Sequence, residues 1–250
     1  MNPGEYRRLA AVEQEHWFYR GKREIVRHWI ERLVRLQAQD LLIDAGTGTG
    51  TWATEMCSRC QVIGLDDHEE SLALAAPRIE AAGGRVLKSD LRAVPLPSGC
   101  ASVVTALDVL EHLDDDRGAF GEMLRLTRPG GLMVVTVPAL ACLWSDWDEA
   151  LHHRRRYDKP GLEQVLRQPG SRLLRCVYFN TAMLPLIALV RWMRRIRPSS
   201  PGRRLEDRIP SRPLNALLYH LLVRPACWEH FSPPAGVSLL AIVERENSQV

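Results

Sequence analysis

The sequence predicts an α/β fold: a doubly wound, largely parallel sheet with helices on both faces. Three observations carry that expectation. Short apolar runs alternate with helix-spaced segments through the first part of the 250-residue chain. The first run is followed directly by the glycine-rich stretch Gly46-Thr-Gly-Thr-Gly50. Glycine pairs stop the later segments where helices should end, at Gly83-Gly84 and in Arg128-Pro-Gly-Gly131.

In chain order, residues 5–36 place Ile25, Trp29, Leu33 and Leu36 at helical spacing, so one or two helices precede the first strand. LLID is that strand and TWATEMCSR the helix after it. VIGLD is the second strand, SLALAAPRIEAAG a helix, RVLKSD a third strand and ASVVTALDVL a fourth. DRGAFGEMLRLT reads as a helix closed by RPGG, and LMVVTVPA as a fifth strand. A long polar loop, Leu140 to Lys159, comes next. Asp158 is placed to cap a helix running to about Arg167. RLLRCVYFN and GVSLLAIVER are strands six and seven. The segment between them, 181–234, is too long for a hairpin and contains two helix-like apolar stretches, so it reads as an insertion or cap. Ligands of such a sheet should lie at the carboxyl ends of its strands, near the switch in strand order.

Composition narrows the class. Hydrophobic content of 46% with 25% charged residues is that of a globular domain rather than a disordered chain. The net charge of +3 hides an asymmetry: residues 152–212 hold fifteen Arg or Lys against four Asp or Glu. With thirty arginines and only three lysines, part of that charge reflects codon usage. No nucleic-acid-binding module is recognisable, and aromatics are not interleaved with the basic residues, so no nucleic-acid partner is expected. The N-terminus lacks a signal-peptide core, and the longest apolar run, 182–190, is too short to span a membrane. A cytoplasmic location with reduced cysteines is the expectation. Cys57 and Cys60 form a lone CxxC without zinc-spaced partners, and no metal site is expected.

The glycines select the ligand. A dinucleotide fingerprint would require a third glycine at position 51, which is Thr51. The sequence instead reads Asp44-x-Gly46-x-Gly48-x-Gly50, with Thr47 inside the loop. Supporting positions follow in order: Asp66 ending VIGLD, Lys88-Ser89-Asp90-Leu91, Leu107 to Leu113 (LDVLEHL), and RPGG before LMVVTVP. Together these resemble the motifs of class I S-adenosylmethionine-dependent methyltransferases over residues 40–138. The resemblance implies a Rossmann-like, seven-stranded sheet whose last strand is antiparallel, with S-adenosyl-L-methionine as cofactor and S-adenosyl-L-homocysteine as product. It divides the chain into an N-terminal helical lid (1–38), a core (39–180), a helical insertion or cap (181–234), and the last strand and tail (235–250).

The resemblance also assigns roles. Asp44, Gly46, Thr47, Gly48 and Gly50 shape the cofactor loop. Asp66, beside Asp67, accepts from the ribose hydroxyls, a task suited to a carboxylate. Ser89, Asp90 and Leu91 meet the adenine edge, and Leu107 and Asp108 line the methyl-transfer face. EHWFYRGKREIV and WSDWDEALHHRRRYDKPGLEQVL are similar to a narrower bacterial group of the family. There Tyr19, Arg20 and Arg23 are candidates for the methionine carboxylate; the alternative is that Trp17 and Phe18 pack on the core and the arginines are solvated.

Methyl transfer to a hydroxyl or protonated amine requires loss of a proton, and histidine suits that task. His112, His152 and His153 are the catalytic candidates; Glu111, Trp144, Trp147, Arg156 and Tyr157 are the substrate candidates. The acceptor is expected to be a small molecule: a natural product, a sugar or a lipid-linked intermediate, methylated at oxygen or nitrogen. A catalytically idle cofactor-binding protein is the rival. Residues 184–197 (LPLIALVRWMRRIR) pair an apolar half with a basic half. They suit a cap over an apolar substrate, a homodimer contact, or contact with the inner face of an anionic membrane through Arg191, Arg194, Arg195 and Arg197.

Overall fold

The computed structural model describes residues 3–196 and 208–247. Two helices come first, α1 (Pro3–Val12) and α2 (Trp17–Leu33). The alternating part follows: β1 (Leu41–Ala45), α3 (Thr51–Met56), β2 (Gln61–Asp66), α4 (Glu69–Ala81), β3 (Arg85–Lys88), β4 (Ala101–Leu107), α5 (Asp116–Leu126) and β5 (Thr127–Pro138). The chain closes with α6 (Asp146–Ala150), α7 (Lys159–Leu166), β6 (Ser171–Phe179), α8 (Leu184–Ile196), α9 (Arg212–Ala226) and β7 (Ser238–Arg245).

The strands form one seven-stranded sheet in the order β3-β2-β1-β4-β5-β7-β6. All pairs are parallel except those of β7, which runs antiparallel to both β5 and β6. Strand order reverses between β1 and β4, whose register sets Asp44 beside Thr105. Each face of the sheet carries an apolar layer, as the near-continuous apolar strands demand. On one face Phe120, Met123, Leu126, Leu162 and Leu166 from α5 and α7 cover the strands. On the other, Ile25, Trp29, Ile30, Trp52, Ile79 and Leu222 bring in α2, α3, α4 and α9.

Three sequence-based boundaries move. β4 stops at Leu107 because Asp108 turns the chain with φ +57°, and Leu110–His112 form a 3₁₀ turn instead of more strand. The RPGG segment belongs to β5, which begins at Thr127 and pairs with Ala101 before a register shift. The polar loop is partly ordered: Ala141–Leu143 form a 3₁₀ turn, and α6 is a five-residue helix started by a Ser145/Asp148 capping box. An element that short leaves no periodicity to read. Cys57 and Cys60 sit in the turn after α3, each turned back on a helix carbonyl, Ala53 O and Met56 O respectively.

The first helices and the last one meet. The Trp17 N–H donates to Asn215 Oδ1 at 2.9 Å, Asn215 Nδ2 donates to Glu15 O at 2.8 Å, and Trp29 Nε1 donates to Ala226 O at 3.0 Å. His16 caps α2: its Nδ1 accepts the Phe18 N–H at 3.3 Å, which only an unprotonated nitrogen can do. Burial pushes the His16 pKa down to about 4. The unfolded chain, with a histidine pKa of about 6.5, therefore binds the extra proton first. Stability should be unaffected by this group above about pH 6.5, and should fall by up to about 3 kcal/mol as pH drops toward 4. Thermal melts across that range should show the loss in the wild type and a smaller one in His16→Asn, which keeps an N-cap acceptor without the titration. Equal slopes in both proteins would reject the assignment.

Candidate active site

A cavity of about 1040 Å³ opens at the carboxyl ends of β1, β2 and β4, under α2 and α8. Its size suits a nucleoside-sized ligand together with a second molecule. One half is built on the glycine loop. Asp44, at the end of β1, accepts from Thr47 Oγ1 at 2.8 Å and Thr105 Oγ1 at 2.9 Å. Burial pushes its pKa up to about 6, the two threonine hydroxyls opposing and Asp66 adding to the rise. The Thr47 N–H is tied to Leu65 O at 2.7 Å, which fixes the loop against β2.

Asp66 holds the loop from the other side. Its Oδ2 accepts from the Gly48 N–H at 3.0 Å and Ser71 Oγ at 2.6 Å, and its Oδ1 from the His68 N–H at 3.0 Å. Gly48 has φ +57°, and a Cβ there would enter open space, its nearest neighbour being Gly46 O at 4.0 Å. That space opens into the cavity, whose lining includes Asp66, Asp67, Asp90 and Leu91, and a side chain at Gly48 would enter it. A nucleoside with adjacent hydroxyls fits it: a backbone close enough to pack beside, and a carboxylate with acceptor capacity to spare.

Gly50 serves a different purpose. Its φ is +81°, and a Cβ would meet Ala75 of α4 at 2.9 Å. It is required for helix packing and does not border the cavity. Four other candidates also lie away from the cavity. Arg20 stacks its guanidinium 4.2 Å from the Tyr219 ring, on the outside of α2. Ser89 is buried with its N–H on Asp66 O at 3.0 Å. Tyr157 is buried in the core and donates to Asp116 Oδ2 at 2.6 Å, and Trp144 likewise lies outside the lining. Tyr19, Asp44, Gly46, Thr47, Gly48, Asp66 and Asp67 do line the cavity. So do Asp90, Leu91, Leu107, Asp108, Glu111, His112, Trp147, His152, His153 and Arg156.

The other half is built on the tip of β4 and the loop after β5. Lys22 of α2 reaches Asp108 Oδ2 at 2.5 Å, and Thr136 Oγ1 donates to Asp108 Oδ1 at 2.9 Å. Burial alone would raise the Asp108 pKa; the Lys22 ammonium overrides it and holds the carboxyl below its ordinary value. Glu111 is fully buried, and burial reinforced by Asp108 pushes its pKa well up. Burial, with His153 beside it, pushes His112 down to about 4. The His112 and His153 rings lie edge to face with centroids 4.8 Å apart.

Two bonds from Arg154 bring these residues together: its N–H donates to Glu111 O and its Nε to His112 O, both at 2.8 Å. Asp148, wholly buried, then organises the loop. It accepts from the Ser145 N–H at 2.9 Å and Arg156 Nε at 2.7 Å, and pairs with His153 Nδ1 at 2.9 Å and Arg191 at 3.6 Å. Arg191 also donates to Leu143 O, so it faces inward and is not available to a membrane. Arg197 lies outside the described residues, as do the side chains of Arg194 and Arg195.

Sequence reasoning missed Glu13, Lys22 and Asp148. Glu13 Oε1 accepts from Thr49 Oγ1 at 2.5 Å and Thr51 Oγ1 at 2.6 Å, tying the end of α1 to the glycine loop. Arg23, which donates to Glu13 O at 2.9 Å and pairs with Glu55, supports the same corner. Glu13 lies outside the quoted stretches, and Lys22 and Asp148, though within them, are singled out only by their tertiary pairing.

Residues 43–135 match the family described as "Methyltransferase domain". A probable S-adenosylmethionine-dependent methyltransferase of Mycolicibacterium smegmatis is 30% identical over 173 residues, 67% of this chain and 63% of the relative. The demethylmenaquinone methyltransferase of Thermus thermophilus is 35% identical over 115 residues, 43% of this chain and 52% of that protein. The matched regions thus span between half and two-thirds of these relatives. Among solved structures, a geranyl diphosphate methyltransferase bound to S-adenosylmethionine superposes with a TM-score of 0.59 at 17% identity, covering 88% of this chain and 85% of that one.

Proposed function

Because the chain carries a class I S-adenosylmethionine-dependent methyltransferase domain, we propose that it moves a methyl group to an oxygen or nitrogen of a small, largely apolar acceptor. The single observation that supports the acceptor class is the lining of the cavity beyond the glycine loop. Met183, Leu186, Ile187, Val190 and Leu218 from the 181–234 segment contribute apolar side chains to the same lining that holds Glu111 and the two histidines. Apolar lining of this kind favours a hydrocarbon portion, as in a lipid-linked or isoprenoid-like molecule, with the reacting heteroatom near the polar groups. The cofactor supplies an electrophilic methyl on a sulfonium.

The protein's part is alignment, worth roughly 7–11 kcal/mol in favourable cases. Asp66 and the Gly48 backbone would fix the nucleoside. α2, latched to the tip of β4 through Lys22 and Asp108, would cover it and exclude water. The Glu111, His112 and His153 end would polarise the acceptor or take its proton. The test is formation of S-adenosylhomocysteine with long-chain hydroxylated acceptors and with their truncated counterparts. Turnover should require the chain, and His112→Ala should lower it at least tenfold while cofactor affinity stays within about twofold. Cofactor binding without turnover across the panel would favour the idle rival.

A second reading has its own observation. Leu186, Leu189, Trp192 and Met193 of α8 and Leu214, Leu217 and Leu221 of α9 are exposed, and Leu186 also borders the cavity. An apolar surface beside the cavity suits a peripheral enzyme that draws its acceptor from a membrane. No described helix is long and apolar enough to cross one. Co-sedimentation with anionic vesicles that is lost in Leu189→Glu/Trp192→Glu would support this, and a stable dimer that buries Trp192 would assign the face to a second copy.

A further inference from the structure

We propose that Glu111, His112 and His153 form a binding site for a first-row divalent metal ion at the acceptor end of the cavity. One ligand atom from each of these three residues lies within 4.8 Å of the others. A shared ion at about 2.0–2.2 Å from each donor would draw them somewhat closer than this.

The carboxylate is the first argument. Glu111 is 0% exposed, and neither of its oxygens has a hydrogen-bond partner among the described residues. A buried carboxylate without donors costs several kcal/mol unless a proton or a cation answers it. Lys22, the nearest ammonium of the lid, is already bound to Asp108 at 2.5 Å. The Glu111 oxygens instead face His153, whose Nε2 lies 4.0 Å from Oε1.

The histidines are the second argument. His153 pairs its Nδ1 with the buried Asp148 carboxylate at 2.9 Å, so Nε2 is the ring nitrogen that faces Glu111. A carboxylate behind a histidine in this way is the usual support of a metal-bound imidazole. The His112 ring is in turn hydrogen-bonded to the backbone of His152. Asp148 is itself fixed by Arg156 and Arg191, so the second layer is rigid. Two imidazoles and one carboxylate form a donor set for Mn, Fe, Co or Zn rather than for Ca or Mg.

Three protein ligands leave coordination positions open toward the cavity, where an acceptor oxygen would arrive. What the ion does there rests on the methyltransferase reading; that it binds does not. A coordinated hydroxyl would lose its proton to solvent more readily. Its oxygen would then form the bond to the methyl carbon as the sulfur–carbon bond breaks and the electron pair returns to sulfur.

The test uses the full chain without a histidine tag, stripped with chelator and titrated with Co²⁺, whose visible d–d bands report ordered coordination. One equivalent should bind, Zn²⁺ should displace it, and Mg²⁺ should not. Glu111→Gln and His112→Ala should each weaken Co²⁺ binding at least about tenfold, and His153→Ala likewise. His230→Ala, on an exposed residue far from the cluster, should leave it unchanged. Affinity for S-adenosylhomocysteine, measured on each variant, shows that the cofactor half is folded. The proposal is overturned if the wild type gives no d–d bands, or if folded Glu111→Gln and His112→Ala retain wild-type Co²⁺ affinity. Loss of methyl transfer with Co²⁺ binding intact would count against the transferase reading and leave the metal site standing.

Discussion

Asp66→Ala lowers affinity for S-adenosylhomocysteine about a hundredfold or more in calorimetric titration. Two losses combine. A ligand hydroxyl bonded to a charged acceptor is worth about 1.5–3 kcal/mol, and a tenfold change in affinity corresponds to about 1.4 kcal/mol. The same carboxylate also accepts the Gly48 N–H at 3.0 Å and Ser71 Oγ at 2.6 Å, so its removal loosens the loop the nucleoside packs against. Asp66→Asn keeps the shape but offers fewer acceptor sites, and should lie between alanine and wild type. Affinity unchanged in Asp66→Ala would mean that the nucleoside sits elsewhere.

The second large effect is on stability. Asp148→Ala should cost about 3–5 kcal/mol, because it leaves Arg156 and Arg191 buried without their counter-charge. In a chain of this length each kcal/mol moves the melting temperature by roughly 2–4 °C, so a fall of roughly 10 °C is expected. The damage should be directional. Asp148 starts α6 and holds His153, both on the acceptor side, whereas the glycine loop depends on Glu13, Asp44 and Asp66. Turnover should therefore collapse while S-adenosylhomocysteine affinity changes little in the folded fraction. A melting point within about 3 °C of wild type would show that Asp148 is not the keystone of the loop.

What could be read from the sequence was whatever is encoded locally. A strand buried on both sides must be an apolar run, and a loop that lets a ligand approach the backbone must be glycine-rich. The sheet and a glycine-rich loop beside the cavity were therefore legible in the sequence. Position within a motif does not fix a side chain's direction, however. Gly50 belongs to the same pattern yet faces Ala75 of α4. α2 packs on the sheet with one side and on α9 with another, so its apolar periodicity does not say which face meets the cavity. Arg20 falls on the α9 side and Lys22 on the cavity side. Tyr157 looks like a polar-loop aromatic but spends its hydroxyl on Asp116. Glu111 and His112 meet His153 through tertiary bonds between two loops, from Arg154 to Glu111 O and His112 O and from Arg155 to Leu113 O.

The contact between α2 and α9 joins nearly opposite ends of the chain: Trp17 and Asn215 are 198 positions apart. Synthesis runs from the N-terminus, so β1 to β5 and the glycine loop leave the ribosome long before α9 is made. Throughout that interval Trp17 and Trp29 lack Asn215 and Ala226, their hydrogen-bond partners on the final helix. The nascent protein thus carries an unfinished tryptophan-lined seam until α9 emerges.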